Sequence, residues 1–209
     1  MEDTLCGSDT QLKLIETLFW DGHILRNLPL HMERMTKSAC RLGWNSDAAQ
    51  IALAVTSATP AYPARMRVTL DRAGYVEITH ATITPTKPVW RVGMSPHRLR
   101  SSDPWLRVKS TRRALYDSQR AALSSALEEV IFANERDEIC EGTITNLFFD
   151  KGQGLRTPPL SCGLLPGILR STLLASGVCQ EEVLLRADLH RCQLWVGNSL
   201  RGMIRARLE

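Results

Sequence analysis

The stretch Arg107-Val-Lys-Ser-Thr-Arg-Arg-Ala-Leu-Tyr116 contains one lysine, Lys109, just ahead of a segment with helical periodicity. The apolar residues that would share one face of this helix are Val108, Leu115, Ala122, Leu123, Ala126 and Leu127. The pattern predicts an amine at the entrance of a helix, in partly apolar surroundings with three arginines nearby in sequence. Burial and neighbouring cations both disfavour the ammonium form, so such a lysine can be a neutral nucleophile at about pH 7. The alternative is an exposed lysine that caps a loop.

The overall composition indicates a folded chain with a sizeable core. Of the 209 residues, 44% are hydrophobic and 23% are charged, which argues against global disorder. The net charge of +4 comes from scattered arginines and not from a run. Because a nucleic-acid footprint needs clustered basic charge, the composition disfavours nucleic acid as a partner and suits anionic small molecules.

The cysteines and histidines show no spacing typical of a metal site. The six cysteines lack a CxxC pair and the five histidines lie apart from one another, so no metal is expected. We expect reduced thiols, mostly buried, in a cytoplasmic protein. Met-Glu-Asp-Thr4 carries the wrong charge for an export signal, and no apolar run approaches the roughly 20 residues that span a bilayer. No membrane partner is therefore expected.

The order of the predicted elements favours an α+β fold with two lobes. We place a small amino-terminal α+β lobe at residues 1–92, a proline-rich linker at 93–107 and a larger carboxyl-terminal lobe at 108–209. In the first lobe the patterns predict strands at 12–20, 64–70 and 75–84, a short strand near 89–92, and helices that begin near Pro29 and after Ser46 or Asp47. In the second lobe they predict the helix after Lys109, strands at 130–133, 138–149 and 193–196, and a helix from about Gly167 to Gly177.

Two loops of the second lobe have the composition of an anion site. Gly163-Leu-Leu-Pro-Gly167 precedes a predicted helix whose first backbone N–H groups are free to bind a phosphate. The alternative is an ordinary helix started by proline. Gly197-Asn-Ser199 offers amide and hydroxyl donors after a strand, or is a simple turn. Glu141 is unusual because it places a carboxylate in an otherwise neutral predicted strand. A half-buried carboxylate there requires a cationic or proton-bearing partner.

Five segments with recognisable motifs occur in one order along nearly the whole chain. They are Ile15-Glu-Thr-Leu18, His31-Met-Glu-Arg-Met35, Lys109 to Tyr116, Glu141-Gly-Thr-Ile-Thr-Asn-Leu-Phe148, and Leu165-Pro-Gly-Ile-Leu-Arg170 followed by Gly197-Asn-Ser-Leu200. Together they resemble the fold-type IV family of pyridoxal-phosphate enzymes, which includes branched-chain and D-amino-acid aminotransferases and aminodeoxychorismate lyase. The resemblance implies a two-lobed fold similar to that of D-amino-acid aminotransferase, pyridoxal 5'-phosphate as cofactor, and a homodimer.

The resemblance also implies catalytic roles for two residues. Lys109 would form the covalent link to the cofactor and later carry the proton. Glu141, five residues before Asn146 as in the family's E-G-x-x-x-N pattern, would pair with the pyridine nitrogen. A carboxylate at that position keeps the ring protonated and makes it a better electron sink.

A second group of residues is implied to hold the cofactor's phosphate. These residues are Arg34, Gly167, Ile168, Leu169, Asn198 and Ser199. Arg34 is the arginine of the H-x-x-R segment, although periodicity alone would make it a surface residue. Leu169 offers only its backbone N–H, because the hydroxyl that some relatives have there is absent.

Further candidates surround the implied cofactor and substrate. Several relatives have a tyrosine where this chain has Ala114, so Tyr116 either substitutes for it or packs on the core face of the helix. Glu16 lies where the strand of the first lobe faces the cofactor in the family. The candidates for binding a substrate carboxylate, each alternatively a solvated surface arginine, are Arg112, Arg113 and Arg201.

The chain departs from the family pattern at its start. Relatives carry a further strand pair with a glycine-rich D-G segment before the position of Glu16, where this chain has Ser8-Asp-Thr-Gln. Such parts help to wall the substrate pocket and to form the dimer contact, so the choice of substrate is open. We expect an enzyme acting on an amino-bearing carboxylate, and the Asn-Ser-Leu turn at Asn198 favours an aminodeoxychorismate lyase, which eliminates pyruvate to give 4-aminobenzoate in folate synthesis. The alternatives are a class IV amino-acid aminotransferase and a non-catalytic protein that binds pyridoxal phosphate or another phosphate ligand.

Overall fold

The computed structural model describes residue 9 and residues 11–209 of the chain. It divides into two units, of which the first ends at Pro85 and also contains Val108–Arg112, and the second comprises Thr86–Arg107 and Arg113–Glu209. These bounds differ from the predicted lobes and linker, because residues 93–107 pack into the second unit and 108–112 return to the first. The expectations for Cys6 and for Met1 to Thr4 concern residues outside the described part.

The first unit contains an antiparallel sheet and two helices. The strands are β1 (Lys13–Trp20), β2 (Ala64–Asp71) and β3 (Val76–Thr82), in the order β1-β2-β3. The helices α1 (Leu28–Arg41) and α2 (Ala48–Ser57) lie between β1 and β2 in the chain. The apolar side chains of β1, α1, α2 and β2 that are completely or almost completely buried include Leu14, Ile15, Leu18, Met32, Met35, Ile51, Val55, Met66, Val68 and Leu70. This burial fixes α1 to β1 and α2 to α1.

Local signals set the ends of both helices. A proline in the first turn begins α1, where its missing N–H costs no helical hydrogen bond. Asp47 caps α2, because its Oδ1 accepts hydrogen bonds from the N–H groups of Ala49 at 2.8 Å and Gln50 at 3.1 Å. These contacts confirm the predicted cap.

The second unit contains a sheet of eight strands. They are β4 (Val89–Leu99), β5 (Glu129–Asn134), β6 (Ile139–Gly142), β7 (Asn146–Asp150), β8 (Arg156–Thr157), β9 (Gln180–Glu181), β10 (Gln193–Asn198) and β11 (Gly202–Leu208). Their order is β10-β11-β4-β5-β6-β7-β8-β9, and β10 also pairs with β7. Six of the strands therefore form a closed ring, which leaves no free edge among them.

Helices and core residues complete the second unit. The α-helices are α3 (Ala114–Ala121) and α4 (Ile168–Ala175), and short 3₁₀ helices lie at Pro104–Arg107, Leu160–Cys162 and Arg186–Arg191. Successive residues of β5 face two separate apolar clusters, since Ile131 packs with Phe149 and Val196 whereas Phe132 packs with Cys140 and Leu164. Burial on both faces explains why β5 reads as a continuous apolar run.

Three predicted elements differ from the structure. The helix after Lys109 begins only at Ala114, because residues 109–111 run extended along β1. The strand predicted at 138–149 is two strands, β6 and β7, joined by a turn. The strand expected to be short near Val89 continues as β4 past Pro96, where a shift of register between Met94 and Arg98 forms a bulge that accommodates the missing proline N–H.

The cysteines of the described part are free thiols: Cys140, Cys162 and Cys179 are buried, Cys192 is half-buried and Cys40 is exposed. No described group of histidine, cysteine or acidic side chains has the geometry to hold a metal ion. Within the described residues, no helix is both long enough and apolar enough to cross a membrane.

Candidate active site

A buried carboxylate lies in the second unit where β6 meets the loop before α4. Glu141 is in β6 and only 6% of its surface is exposed. One carboxylate oxygen accepts a hydrogen bond from the Tyr116 hydroxyl at 2.8 Å, and the other accepts from the Leu165 N–H at 3.1 Å. These two donors orient the carboxylate between α3 and the Leu165 loop.

Tyr116 lies beside Glu141 and not merely on the core face of α3. Its ring packs edge-on against Phe132, with 5.1 Å between the ring centroids. Burial, and next to it the negative charge of Glu141, raise the pKa of Tyr116 far above its usual value. The phenol is therefore a proton donor to Glu141 at any physiological pH.

The start of α4 is built around Asn146. Asn146 stands opposite Glu141 in the β6–β7 pair, and its side-chain N–H donates to the carbonyl of Leu165 at 3.0 Å. A Cβ atom on Gly167 would lie 1.9 Å from the Oδ1 of Asn146, so only glycine fits at this position. The E-G-x-x-x-N spacing thus places Glu141 and the first turn of α4 in one small region.

The first turn of α4 offers backbone donors to an anion. Gly167 is its N-cap, and no described side chain makes a capping hydrogen bond there. Ile168 is buried and Leu169 is half-buried. Helix α4 thus presents N–H groups and the positive end of its dipole at this point.

The turn after β10 lies against the same helix end. A Cβ atom on Gly197 would be 2.8 Å from the Cδ2 of Leu169, so the strand end and α4 are in direct contact. Asn198 shapes the turn, since its Oδ1 accepts from the N–H groups of Leu200 at 3.1 Å and Arg201 at 3.0 Å. Ser199 is half-buried in this turn. The structure therefore brings the two predicted anion-binding loops together.

Two of the arginines predicted to bind substrate carboxylate belong to the second unit. Arg113 donates to Asp117 at 2.7 Å and to the carbonyl of Thr143 at 3.1 Å. The guanidinium of Arg201 donates to Thr86 at 2.8 Å and lies 5.7 Å from the ring centroid of Trp90. Arg112, the third candidate, is exposed and belongs to the first unit.

In the first unit, Lys109 is held along β1. Its carbonyl accepts a hydrogen bond from the Ile15 N–H at 2.9 Å, and Ser110 forms a bridge with Leu14. The Lys109 residue is half-buried. The predicted helix entrance is wrong for this residue, because α3 begins only at Ala114.

Next to Ile15, Glu16 forms a buried ion pair with Arg34. Both carboxylate oxygens of Glu16 accept from Arg34, at 2.8 and 2.6 Å, and Nδ1 of His31 lies 2.6 Å from one of them. Burial acts to raise the pKa of Glu16, but the charge of Arg34 and the hydrogen bonds of His31 and Arg34 outweigh it and lower the pKa to about 2. Glu16 is therefore a fixed anion that orients Arg34.

Several contributors to these sites were missed by sequence reasoning. Asn146 was noted only as part of a motif, and the pairing of Glu16 with Arg34 and His31 was not predicted. Glu129 was not singled out at all, although it is completely buried and binds the turn between β6 and β7. The available signal was a charged residue at the start of the apolar run Val130-Ile-Phe-Ala133.

The donor and acceptor groups of the second unit fit the two ends of pyridoxal phosphate. Glu141 supplies a carboxylate that can accept from a protonated ring nitrogen. The first turn of α4 supplies N–H groups suited to a phosphate. Gly167 allows Asn146 to pack against this turn, since any Cβ there would collide with the Oδ1 of Asn146.

Comparison with known proteins places these features in a family. The profile of the family described as "Amino-transferase class IV" matches residues 13–208. A protein of Schizosaccharomyces pombe named "Putative aminodeoxychorismate lyase" is 29% identical over 185 residues, which are 81% of this chain and 76% of that protein. A crystal structure of a "Putative amino-acid aminotransferase" from Mesorhizobium loti has a TM-score of 0.90 and 41% identity, and the match covers 95% of this chain and 100% of that one.

More distant structures agree on the architecture. A "Putative 4-amino-4-deoxychorismate lyase" from Legionella pneumophila has a TM-score of 0.83 at 21% identity, and the match covers 94% of this chain and 82% of that one. This likeness confirms the α+β fold of type IV that the resemblance implied. Because the family profile extends over nearly the whole of the 209 residues, this chain belongs to the class IV aminotransferase family.

Proposed function

We propose that this protein is a pyridoxal-phosphate enzyme that eliminates pyruvate from an aminodeoxychorismate-like substrate. One observation carries the cofactor assignment: in the second unit, the buried Glu141 accepts from the Leu165 N–H, two residues before Gly167, the N-cap of α4. An acceptor for a ring nitrogen and donors for a phosphate thus occur in one short segment. When bound, pyridoxal phosphate supplies an electron sink for the bond that breaks at the substrate Cα.

We assign the covalent and proton-transfer role to Lys109. Lys109 would hold pyridoxal phosphate through its Nζ, and the same amine would take a proton from the substrate Cα and give it to the departing pyruvate. The assignment rests on the place of Lys109 in the segment Lys109 to Tyr116, one of the five segments that resemble the family.

The remaining residues are proposed to hold charge in place. Glu141 keeps a proton on the ring nitrogen, and the Tyr116 hydroxyl keeps Glu141 oriented. The amides of Ile168 and Leu169 and the Asn198 turn, with Ser199, hold the phosphate. Arg34 is proposed as a further phosphate ligand, with Glu16 fixing its guanidinium.

Arg113 and Arg201 are proposed to bind the substrate carboxylates, with Arg112 as a third candidate. A planar guanidinium holds a carboxylate through two parallel hydrogen bonds, and the substrate of an aminodeoxychorismate lyase is an anion. We further propose a homodimer located in the cytoplasm. The free thiols of the described part support a reducing compartment.

The Asn198 turn and the yeast relative support the lyase assignment. The side chain of Asn198 shapes the Asn-Ser-Leu turn by accepting a hydrogen bond from the Leu200 N–H. The S. pombe protein, whose match covers 81% of this chain, is named as a putative aminodeoxychorismate lyase. One observation favours the alternative, a class IV amino-acid aminotransferase. The Mesorhizobium loti structure, which is 41% identical over its whole length, is named as an aminotransferase.

The proposal is tested by offering both kinds of substrate to the purified protein supplied with pyridoxal phosphate. We expect pyruvate release from aminodeoxychorismate and slower half-transamination of a panel of amino acids. Pyruvate release should be abolished in Lys109→Ala and reduced at least about 100-fold in Glu141→Gln, which retains bound cofactor. Lys87→Ala, which removes an exposed ion-paired lysine, is the matched control and should keep wild-type turnover.

Three results would decide against parts of the proposal. Rapid half-transamination without pyruvate release would replace the lyase by the aminotransferase. A colourless protein indifferent to added cofactor would contradict both enzyme assignments and leave a binder of another phosphate ligand. Full turnover by Lys109→Ala would refute the role of Lys109.

A further inference from the structure

The strand β5 begins with a carboxylate that is completely buried and not part of the proposed reaction. Glu129 binds the turn Thr143–Thr145, which joins β6 to β7. We propose that Glu129 is a positioning residue that fixes this turn and, through it, the Asn198 turn that holds the cofactor's phosphate. The assignment of phosphate to the Asn198 turn rests on the proposed function, whereas the positioning itself does not.

Glu129 replaces the sheet as the hydrogen-bond partner of the turn. Its Oε1 accepts from the Thr143 N–H at 3.0 Å and from the Thr143 hydroxyl. Its Oε2 accepts from the Ile144 N–H at 3.2 Å and from the Thr145 hydroxyl at 3.0 Å. Arg120 lies 3.6 Å from Oε1. Four donors and a nearby guanidinium compensate a charge that would otherwise be costly at this depth.

Gly142 allows this arrangement. A Cβ atom at position 142 would lie 2.8 Å from the Cδ of Glu129 and 2.5 Å from the Oγ1 of Thr145. Any other residue would therefore push the carboxylate and the turn apart. The glycine next to Glu141 is thus explained by Glu129 and not by the cofactor.

Two carbonyls of the turn accept hydrogen bonds from other elements of the second unit. The carbonyl of Ile144 accepts from the side-chain N–H of Asn198 at 3.1 Å. The carbonyl of Thr143 accepts from Arg113 of the segment that enters α3 at 3.1 Å. Since the Oδ1 of Asn198 accepts from the N–H groups of Leu200 and Arg201, a shift of Ile144 displaces the turn at 198–201. Glu129 is linked to the proposed phosphate site through this chain of contacts.

The ring end of the proposed site depends less on Glu129. Glu141 is held by Tyr116 and Leu165. Within the described part of the chain, no hydrogen bond joins Tyr116 or Leu165 to the turn Thr143–Thr145. Loss of the Glu129 charge should therefore weaken binding of the phosphate group more than binding of the pyridine ring. This asymmetry distinguishes positioning of the Asn198 turn from a general role in stability.

The test compares Glu129→Gln with Glu128→Gln, the neighbouring carboxylate that pairs with Lys87 and does not reach the turn. Glutamine keeps the size of the side chain but turns an NH₂ group towards donors. In the protein without cofactor, we expect hydrogen exchange of the Leu200 and Arg201 amides to be at least about tenfold faster in Glu129→Gln and unchanged in Glu128→Gln. The dissociation constant for pyridoxal phosphate should rise at least about tenfold, and that for pyridoxal, which lacks the phosphate, by less than about threefold.

If Glu129→Gln does not fold, Thr145→Val provides the second variant. It removes one donor to Glu129 and keeps the carboxylate, and the same changes are expected at smaller size. Unchanged exchange of the Leu200 and Arg201 amides would overturn the inference, and so would equal losses of affinity for pyridoxal phosphate and pyridoxal. If the wild-type protein binds neither compound, the proposed function fails, while the hydrogen-exchange comparison still tests the positioning role.

Discussion

The buried ion pair of the first unit predicts a specific dependence of stability on pH. Glu16 is only 1% exposed and accepts both hydrogen bonds of the Arg34 fork and one from His31. The variant Glu16→Gln removes the charge while keeping the size of the side chain. Both the variant and the wild type leave Arg34 in place, so the difference between them reports the ionisation of Glu16.

The magnitude follows from the pKa of Glu16, which is about 2 in the folded protein against an ordinary value of 4.5. Because the folded-state pKa is the lower one, the stabilisation is complete above pH 4.5 and is lost as the pH falls towards 2. The separation corresponds to about 3 kcal/mol at neutral pH, since one pKa unit is about 1.4 kcal/mol. Of this, about 1 kcal/mol should disappear between about pH 5.5 and about pH 3.5.

The assay is urea unfolding of both proteins at several pH values in that window. We expect the free energy of unfolding of the wild type to exceed that of Glu16→Gln most at the upper end, and the difference to shrink by about 1 kcal/mol at the lower end. Glu33→Gln is the matched control on α1, because the Glu33–Lys37 pair is exposed. An exposed pair of this kind contributes about 0.3–0.5 kcal/mol, so that variant should show little trend.

A difference between wild type and Glu16→Gln that stays constant or grows as the pH falls would contradict a lowered pKa of Glu16 in the folded protein. A constant difference would mean that the ionisation of Glu16 is the same in the folded and unfolded chain. A growing difference would mean that the carboxyl is protonated more readily in the folded protein, and burial would then outweigh Arg34.

Three further changes have defined outcomes. Gly167→Ala should destabilise the protein by about 1–3 kcal/mol and weaken cofactor binding, because the Cβ of the alanine meets Asn146. Adding Asn146→Ala should restore part of the stability and part of the affinity. Stability and affinity equal to those of the wild type in Gly167→Ala would contradict the close contact. Tyr116→Phe removes one of the two described donors to Glu141 and should lower kcat about 3- to 10-fold with little change in KM, so an unchanged kcat in steady-state assays would count against this orientation. Asp47→Ala removes the cap of α2 and should lower the free energy of unfolding by about 1 kcal/mol. Thermal melting at matched pH measures this loss, and an unchanged melting temperature would contradict the role of the cap.

Elements defined by local signals could be predicted from the sequence. The helix α2 follows from Asp47 and an apolar stripe, and α1 from a proline in its first turn and Gly43 after its end. The start of α4 follows in the same way from the Gly163-Leu-Leu-Pro-Gly167 loop. In each case the residues that decide the structure lie within a few positions of one another.

Features set by distant residues could not be predicted. The segment containing Lys109 is extended because it pairs with β1, almost a hundred positions earlier in the chain. The strand predicted at 138–149 is broken because the carboxylate of Glu129, 14 residues before Thr143, captures the turn. The pairing of Glu16 with Arg34 joins a strand to a helix 18 residues later. Alternation and propensity carry no information about such contacts.

The resemblance to a known family predicted more of the candidate site than hydrophobic periodicity did. It gave roles to Glu141 and the Gly167 helix start, which the residue patterns had already indicated and which the structure brings together in the second unit, and it assigned the covalent link to the cofactor to Lys109. It did not identify Glu129, whose partners are the turn residues within the E-G-x-x-x-N motif. The geometry of that motif therefore depends on a residue outside it.

The central claim is that Lys109 is the residue that bonds to pyridoxal phosphate. The direct measurement is to incubate the protein with the cofactor, reduce it with borohydride, digest it and locate the added pyridoxyl group by mass spectrometry. We expect the visible absorption band to disappear on reduction and a single peptide to be modified, with the pyridoxyl group on Lys109. Modification at Lys13, Lys37, Lys87 or Lys151 instead, or an unmodified protein at saturating cofactor, would contradict it.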